Sequence, residues 1–299
     1  MVIYWLDVLN MTKQRNSVAD YYKLPWFFRF FAKMLNLISK SLATAFIWRI
    51  FCGPIKFKTP KRELNFYHET EQDKLYINSI AKEVAIYTIQ NNGPKILFVH
   101  GWNGRASQFY SMIETFASEG YDITAVDLPG HGKSDTGITN LPEFTAVINE
   151  LSDLRGPFHT VISHSIGAVS TLNSVRRGLK PEKLVLISTG AYSIRPMFES
   201  FVGLFNLNEK YYADRMYSLA EQQFGSSPSD FGPDKFAKEI NVNTLLIHCQ
   251  DDVEAFPEIA EKIQKDMKNA KLYMTQDLKH RRILRDSHVT EQILNFISK

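Results

Sequence analysis

Short runs of apolar, often β-branched residues recur along most of the chain, and stretches of helical character separate them. The runs contain four to seven residues and centre near Val84, Leu97, Ile123, Val161, Leu184, Leu245 and Leu272. Runs of this length without alternation are typical of strands buried on both faces. Helices between such strands favour an α/β fold, with a mostly parallel central sheet and helices on both of its faces. The segments around Leu64 and Tyr76 are expected to form an antiparallel edge.

The strand near Val161 leads into the motif SHSIG, Ser163 to Gly167, and then into a helix-forming stretch. Small residues two positions before and after Ser165 permit a sharp strand-to-helix turn. Such a turn projects the Ser165 hydroxyl above the sheet edge, at the N-terminus of the next helix, where partial positive charge favours an oxyanion. Ser163 stands where glycine is commoner. Satisfied polar packing of a buried Ser-His-Ser is the alternative interpretation.

A serine nucleophile needs a base, and the base needs an orienting acid. Downstream, the predicted strand Thr244 to His248 is followed by Asp251 and Asp252, and His280 follows the last apolar run. These side chains come just after predicted strands, at the edge where open α/β sheets place their sites. The chain order serine, acid, histidine therefore offers a nucleophile, Ser165, and a base, His280, with either aspartate as the acid.

The strand Ile96 to His100 is followed by Gly101 and Trp102. Glycine after a buried strand lets the backbone turn so that a main-chain N–H points into the site. We expect the N–H of Trp102 and the N–H of Ile166, the residue after the nucleophile, to form the oxyanion hole.

Five segments occur in order along the chain: HGW, DLPGHGKS, SHSIG, CQDD and KHRRILRD. Together they resemble the α/β-hydrolase fold family and, within it, the esterase and lipase-like serine hydrolases. The resemblance runs from about Pro94 to the C-terminus, roughly two thirds of the chain. It implies that Ser165 is the nucleophile, Asp252 the triad acid and His280 the base. The family spacing, counted from Cys249 where glycine is commoner, favours Asp252 over Asp251.

Two rival chemistries use the same part of the sequence. The string GHGKS, Gly130 to Ser134, suggests a phosphate loop, but Asp127 stands where that motif requires its first glycine. Four histidines fall near predicted strand ends: His100, His131, His164 and His248. They lack the spacing of helical metal motifs, so we expect no metal. No G-x-G-x-x-G follows a predicted strand, and we expect no organic cofactor.

Residues 194–240, between the strands near Leu184 and Leu245, are rich in Phe, Tyr, Met and Leu. We expect this insertion to form a short helical lid over Ser165. An apolar acyl pocket is expected from Met197, Phe198, Phe201, Phe205 and Tyr212. Simple packing of these helices on the sheet is the alternative, and the sequence does not separate the two.

The first 61 residues contain ten Lys or Arg and two acids, a net charge of +8 against −5 for the remaining chain. Arg29, Lys33, Asn36 and Lys40 share one helical face, and aromatic and aliphatic residues occupy the others. A basic amphipathic helix with aromatic residues is typical of peripheral membrane contact. The alternative is that the segment packs on the acidic body. Charges interrupt every apolar stretch, so no membrane span is expected, and the start does not resemble a signal peptide.

These features predict a helical N-terminal segment, 1–61, and an α/β-hydrolase domain, 62–299, with its insertion at 194–240. Two cysteines give no disulfide framework, so a reducing, cytoplasmic location is expected. The predicted function is hydrolysis of a carboxylic ester with an apolar part, through an acyl-enzyme. Thioesterase, acyltransferase and non-catalytic binding functions remain alternatives. The expected partner is a small-molecule ester and not nucleic acid, and the oligomeric state is left open.

Overall fold

An eight-stranded sheet forms the centre of the computed structural model, which describes residues 24–298. Its strands are β1 (Glu71–Ile77), β2 (Lys82–Ile89), β3 (Lys95–Val99), β4 (Asp122–Val126), β5 (Thr160–His164), β6 (Lys183–Ile187), β7 (Asn243–Cys249) and β8 (Ala270–Thr275). Their spatial order is β1-β2-β4-β3-β5-β6-β7-β8. β2 runs antiparallel to both β1 and β4, and the other pairings are parallel. The predicted mostly parallel sheet is confirmed.

The α-helices connect and flank these strands. They are α1 (Trp26–Ile38), α2 (Lys40–Phe51), α3 (Leu64–Glu69), α4 (Tyr110–Ser118), α5 (Leu141–Arg155), α6 (Ile166–Arg176), α7 (Arg195–Gly203), α8 (Glu209–Phe224), α9 (Pro233–Phe236), α10 (Glu258–Asp266), α11 (Lys279–Arg282) and α12 (Ser287–Ile297). Short 3-10 turns cover Lys61–Glu63, Ala106–Phe109, Pro228–Phe231, Ala237–Glu239 and Ile283–Arg285.

The sheet buries both of its faces. Leu97 and Val99 of β3 join one core cluster with α5 and α6, whereas Ile96 and Phe98 join the opposite cluster with α4 and α12. Successive residues of a strand point to opposite faces, so a strand covered on both sides must be apolar throughout. This is why the apolar runs showed no alternation.

The segment around Leu64 does not form the antiparallel edge that the sequence suggested. Only the Tyr76 segment, in β1, supplies that edge, whereas Leu64 begins the short helix α3. Phe66 of α3 is buried against Tyr87, with ring centroids 5.0 Å apart. Burial of this one aromatic side chain in the sheet's core outweighs a weak local strand preference.

The helices α1 and α2 form a hairpin, and residues 1–23 of the N-terminal segment lie outside the described residues. Ala43, Ile47 and Trp48 of α2 are buried in a third cluster with α7 and α8. The Trp48 indole N–H donates to Gln223 Oε1 at 3.1 Å. Within residues 24–298, none of the helices is long and apolar enough to cross a bilayer.

We expect Ile47→Ala to lower the free energy of unfolding by about 2–5 kcal/mol, because it leaves a cavity between the hairpin and the insertion. Leu42→Ala, on the exposed side of the same helix, is the matched control and should change it by about 0.5 kcal/mol or less. Urea unfolding of both variants measures the difference. Equal losses would show that the hairpin does not pack as described.

Candidate active site

Ser165 occupies the turn between β5 and α6. Its φ of 55° and ψ of −124° lie in a region that side-chain-bearing residues rarely adopt. The Ser165 N–H donates to Ile187 O at 2.9 Å, which ties the turn to β6. We call residues 163–167 the elbow; its strained geometry is the one that SHSIG predicts.

Close approach of the backbone explains the small residues of the elbow. A Cβ at Gly167 would lie 2.3 Å from His100 O, so β3 and α6 can meet only if this residue is glycine. Ser163 is fully buried, and among the described residues its hydroxyl has no hydrogen-bond partner. The elbow therefore requires a small side chain at position 163 and does not require its hydroxyl.

The three predicted catalytic side chains lie together at the carboxyl edge of the sheet. Ser165 Oγ is 2.9 Å from His280 Nε2, and His280 Nδ1 is 2.8 Å from Asp252 Oδ2. The other carboxylate oxygen of Asp252 accepts from the N–H of Glu254 at 2.9 Å and of Ala255 at 3.0 Å. The arrangement has the connectivity of a nucleophile, base and orienting acid.

Asp251, the rival acid, points elsewhere. Its Oδ1 accepts from the Cys249 thiol at 2.7 Å and from the Asp277 N–H at 2.9 Å, which fastens the turn after β8 to the end of β7. Burial of Asp252 raises its carboxyl pKa, but the hydrogen bond and charge of His280 outweigh that effect and lower the pKa below its usual value. Asp252 therefore remains a carboxylate beside the imidazole.

The loop after β3 passes directly over the serine. A Cβ added at Gly101 would lie only 2.6 Å from Ser165 Cβ. In the described part of the chain, the N–H groups of Trp102 and Ile166 have no hydrogen-bond acceptor. The next N–H, that of Asn103, donates to His131 Nε2 at 3.0 Å, with Asn103 at φ 56°. Two unpartnered N–H groups beside a hydroxyl are the donors that an oxyanion requires.

Gly190, in the loop after β6, is a site residue that sequence reasoning missed. A Cβ at this position would lie 2.9 Å from Ile166 N and 3.3 Å from Ser165 Oγ. The backbone of this loop therefore forms one wall of the candidate oxyanion site. A glycine just after a buried strand, in STG, was the available signal, but only the packing of β6 beside β5 brings it to the serine.

The loop that carries GHGKS is organised by the buried carboxylate of Asp127. Its Oδ1 accepts from Ala106 N–H at 2.7 Å, and its Oδ2 accepts from Tyr87 OH at 2.7 Å and Lys133 N–H at 2.8 Å. The aspartate that argued against a phosphate loop thus ties β2, β4 and the loop after β3 together. Each bond satisfies a polar group that would otherwise be buried unpaired.

Four buried histidines around the site are held neutral. Burial lowers the pKa of His100 to about 4 and the pKa of His131 to about 3. It lowers the pKa of His164 well below its usual value and also lowers the pKa of His248. Each ring donates from one nitrogen to a backbone carbonyl: His100 to Gly101 O, His131 to Pro129 O, His164 to His280 O and His248 to Ala255 O. Within the described residues, no three or more His, Cys, Asp or Glu side chains group as metal ligands would.

The aromatic residues of the insertion that were expected to form an acyl pocket pack instead in the third cluster, between the insertion and the N-terminal hairpin. Phe198, Phe205 and Tyr212 are buried there, and Phe201 contacts Phe51 of α2, with ring centroids 5.0 Å apart. Met197 packs against both this cluster and the core of the sheet. The positions of these side chains are therefore explained by packing of the insertion's helices, mainly against the N-terminal hairpin.

Residues 96–284 match the model of the alpha/beta hydrolase family, and the chain therefore belongs to that family. A non-heme chloroperoxidase of Streptomyces lividans is 35% identical over 104 residues, which are 32% of this chain. The match spans 37% of that protein's length.

Two solved structures illustrate the likeness of fold. An esterase from Pyrococcus furiosus has a TM-score of 0.61 at 19% identity, covering 82% of this chain and 97% of that one. A membrane phospholipase A, described as a bacterial virulence factor, has a TM-score of 0.61 at 14% identity, covering 90% of this chain and 98% of that one. At these identities the likeness shows the fold alone.

We expect Gly190→Ala to lower kcat about 10²- to 10³-fold toward any substrate that uses the oxyanion site, because the added methyl group crowds the Ile166 N–H. Gly203→Ala is the matched control, since the three atoms nearest to its methyl group all belong to the flexible Glu209 side chain. Steady-state kinetics with circular dichroism of both variants makes the comparison. Full activity in a folded Gly190→Ala protein would contradict this geometry.

The neutral histidines make the fold sensitive to acid. As the pH falls from about 6.5 to about 4, the unfolded chain binds more protons at these four imidazoles than the folded chain does, so stability falls as the pH falls. Each imidazole contributes at most about 1.4 kcal/mol per pH unit. Urea unfolding at several pH values should show this slope, and His131→Gln should make it shallower. A free energy of unfolding that stays constant between about pH 7 and about pH 5 would refute the expectation.

Proposed function

We propose that this protein is a serine hydrolase that cleaves carboxylic esters through an acyl-enzyme intermediate. One observation carries the proposal: Ser165 Oγ, His280 and Asp252 form a continuous chain of hydrogen bonds of 2.9 and 2.8 Å. A hydroxyl in contact with a neutral imidazole can lose its proton as it attacks, and an ionised aspartate stabilises the imidazolium that results.

In the first half of the reaction, Ser165 Oγ attacks the ester carbonyl carbon while His280 Nε2 takes the hydroxyl proton. Asp252 accepts a hydrogen bond from His280 Nδ1 throughout, which fixes the tautomer of the ring. The carbonyl oxygen gains negative charge and is stabilised by the N–H groups of Trp102 and Ile166. When the tetrahedral intermediate collapses, His280 returns the proton to the leaving alkoxide, and the acyl group remains on Ser165.

In the second half, a water molecule attacks the acyl carbon and His280 takes one of its protons. The new tetrahedral intermediate collapses to the carboxylic acid, and the proton returns to Ser165 Oγ. The half-buried ring of Trp102, which packs against His131 and Phe144, supports a substrate with an apolar part beside the carbonyl.

Other reactions share this acyl-enzyme and differ in the group that forms or accepts it. A thioester would enter by the same attack, and an alcohol in place of water would make the protein an acyltransferase. Hydrogen peroxide in place of water would give a peracid, and the partial match to a chloroperoxidase favours including it in a substrate panel. A non-catalytic binding function is less well supported, because it does not require the serine and histidine to be hydrogen-bonded.

The test is intact-mass analysis after incubation with a fluorophosphonate, which reacts with activated serines. We expect stoichiometric labelling of the wild-type protein and none of Ser165→Ala or His280→Ala. Ser163→Ala is the matched control, since that hydroxyl is buried two residues away in the same elbow. It should label normally.

Turnover of short-chain and long-chain p-nitrophenyl esters should then fall about 10⁶-fold in Ser165→Ala and about 10⁴-fold in Asp252→Asn. Ester turnover that survives in Ser165→Ala would disprove the mechanism. A folded wild-type protein that neither labels nor hydrolyses any ester or thioester would favour the binding function.

A further inference from the structure

We propose that the outer face of helix α1 is a docking surface for an anionic lipid bilayer, and that the helix lies in the plane of the bilayer surface. The proposal concerns binding and does not depend on the proposed ester hydrolysis. It rests on the exposure, the arrangement and the charge of residues 24–62.

The outer face of α1 is apolar over its whole length. Its exposed side chains are Trp26, Phe27, Phe30, Phe31, Met34, Leu37 and Ile38, with Trp26 73% and Leu37 79% exposed. At about 100° per residue these seven positions fall within an arc of roughly 140° of the helix. A contiguous exposed patch of aromatic and aliphatic side chains marks an interaction surface, because isolated apolar residues are normal on a protein surface and contiguous groups are not.

The opposite side of α1 holds the helix in place. Ala32 is buried in the third cluster, and the ring of Phe46 in α2 lies 6.4 Å from Phe28. Phe31, at the edge of the outer face, also contacts Phe46, with ring centroids 5.1 Å apart. Because α2 is itself anchored between α7 and α8, α1 presents its outer face from a fixed support. The patch is therefore a formed surface and not an unpacked helix.

The charge around this face has one sign. Residues 24–62 contain eight Lys or Arg and no Asp or Glu. Arg29, Lys33 and Asn36 form a strip along one border of the apolar arc, and Lys40 begins α2 at its end. An apolar face flanked by basic side chains suits a membrane interface, where the apolar groups enter the acyl boundary and the cations meet anionic headgroups.

The same charge disfavours other occupants. A second copy of this chain, packed face to face with its helix antiparallel about a two-fold axis, would bring the two basic borders against each other. Protein partners favour interfaces depleted in lysine, whereas this face is bordered by it. A span across the bilayer does not fit either, since α1 has 13 residues and would be only about 20 Å long.

The test is flotation of the full chain with vesicles made of diether lipids, which contain no ester that a hydrolase could consume. We expect binding to vesicles of phosphatidylcholine mixed with phosphatidylglycerol. The double variant Phe30→Ser and Leu37→Ser should lower the partition coefficient about tenfold or more, because two exposed apolar groups no longer leave water. The matched control is Ile138→Ser and Leu154→Ser, two exposed apolar residues on the hydrolase domain, which should bind as the wild type does.

The basic border is tested separately with Lys33→Gln and Lys40→Gln. Each substitution should weaken binding to the anionic vesicles about fivefold and should have little effect on vesicles of phosphatidylcholine alone. Point variants are preferable to removal of the hairpin, since α2 is part of the third cluster.

Three results would overturn the proposal. The first is equal vesicle binding by the wild type and the Phe30→Ser, Leu37→Ser variant. The second is concentration-dependent dimerisation without lipid, abolished by that variant, which would make a second copy the occupant. The third is binding only after removal of residues 1–23, which would indicate that this segment, and not a bilayer, occupies the face.

Hydrolysis of a water-soluble ester, measured on the same variants, should be unchanged. Failure of the docking surface is therefore distinct from failure of the proposed activity.

Discussion

The organisation of this molecule depends on how closely the backbone can approach Ser165. The residue is held at a positive φ, and only a glycine at 167 lets α6 begin against the end of β3. The loops after β3 and β6 then lie within contact distance of the same serine. Main-chain N–H groups can surround a hydroxyl this closely only where side chains are absent. The candidate oxyanion site is therefore a product of backbone packing more than of side-chain chemistry.

A layer of buried polar groups holds these loops in position. Asp127 accepts hydrogen bonds from three separate segments, and His100 and His131 each accept an N–H from a loop near the site, Leu128 and Asn103 respectively. A neutral imidazole can donate from one nitrogen and accept at the other, so it joins two backbone groups without burying a charge. Because the rings are buried, their protonation is unfavourable in the folded state. Lowering the pH therefore destabilises the loops that these rings hold in position.

The N-terminal hairpin and the insertion form one helical layer, although they are more than a hundred residues apart in the chain. α2 packs inward on α7 and α8, as the packing interpretation of the basic segment expects. α1 keeps an exposed apolar face with a basic border, and the proposed membrane contact rests on that face. Aromatic residues of the insertion that suited an acyl pocket fill the contact with α2, since burial there removes their surfaces from water.

The sequence by itself determined the strands from Val84 onward, the order of serine, acid and histidine, and the small residues around Ser165, because each depends on local spacing and size. Local spacing left both aspartates open, and only the family resemblance favoured Asp252, the one that meets His280. The sequence could not determine that Leu64 begins a helix or that Gly190 lies beside the nucleophile. Nor could it decide where the aromatic side chains of the insertion pack. These features depend on contacts between segments distant in the chain. Local patterns specify which face of an element is buried, but only the assembled sheet and helices specify what that face is buried against.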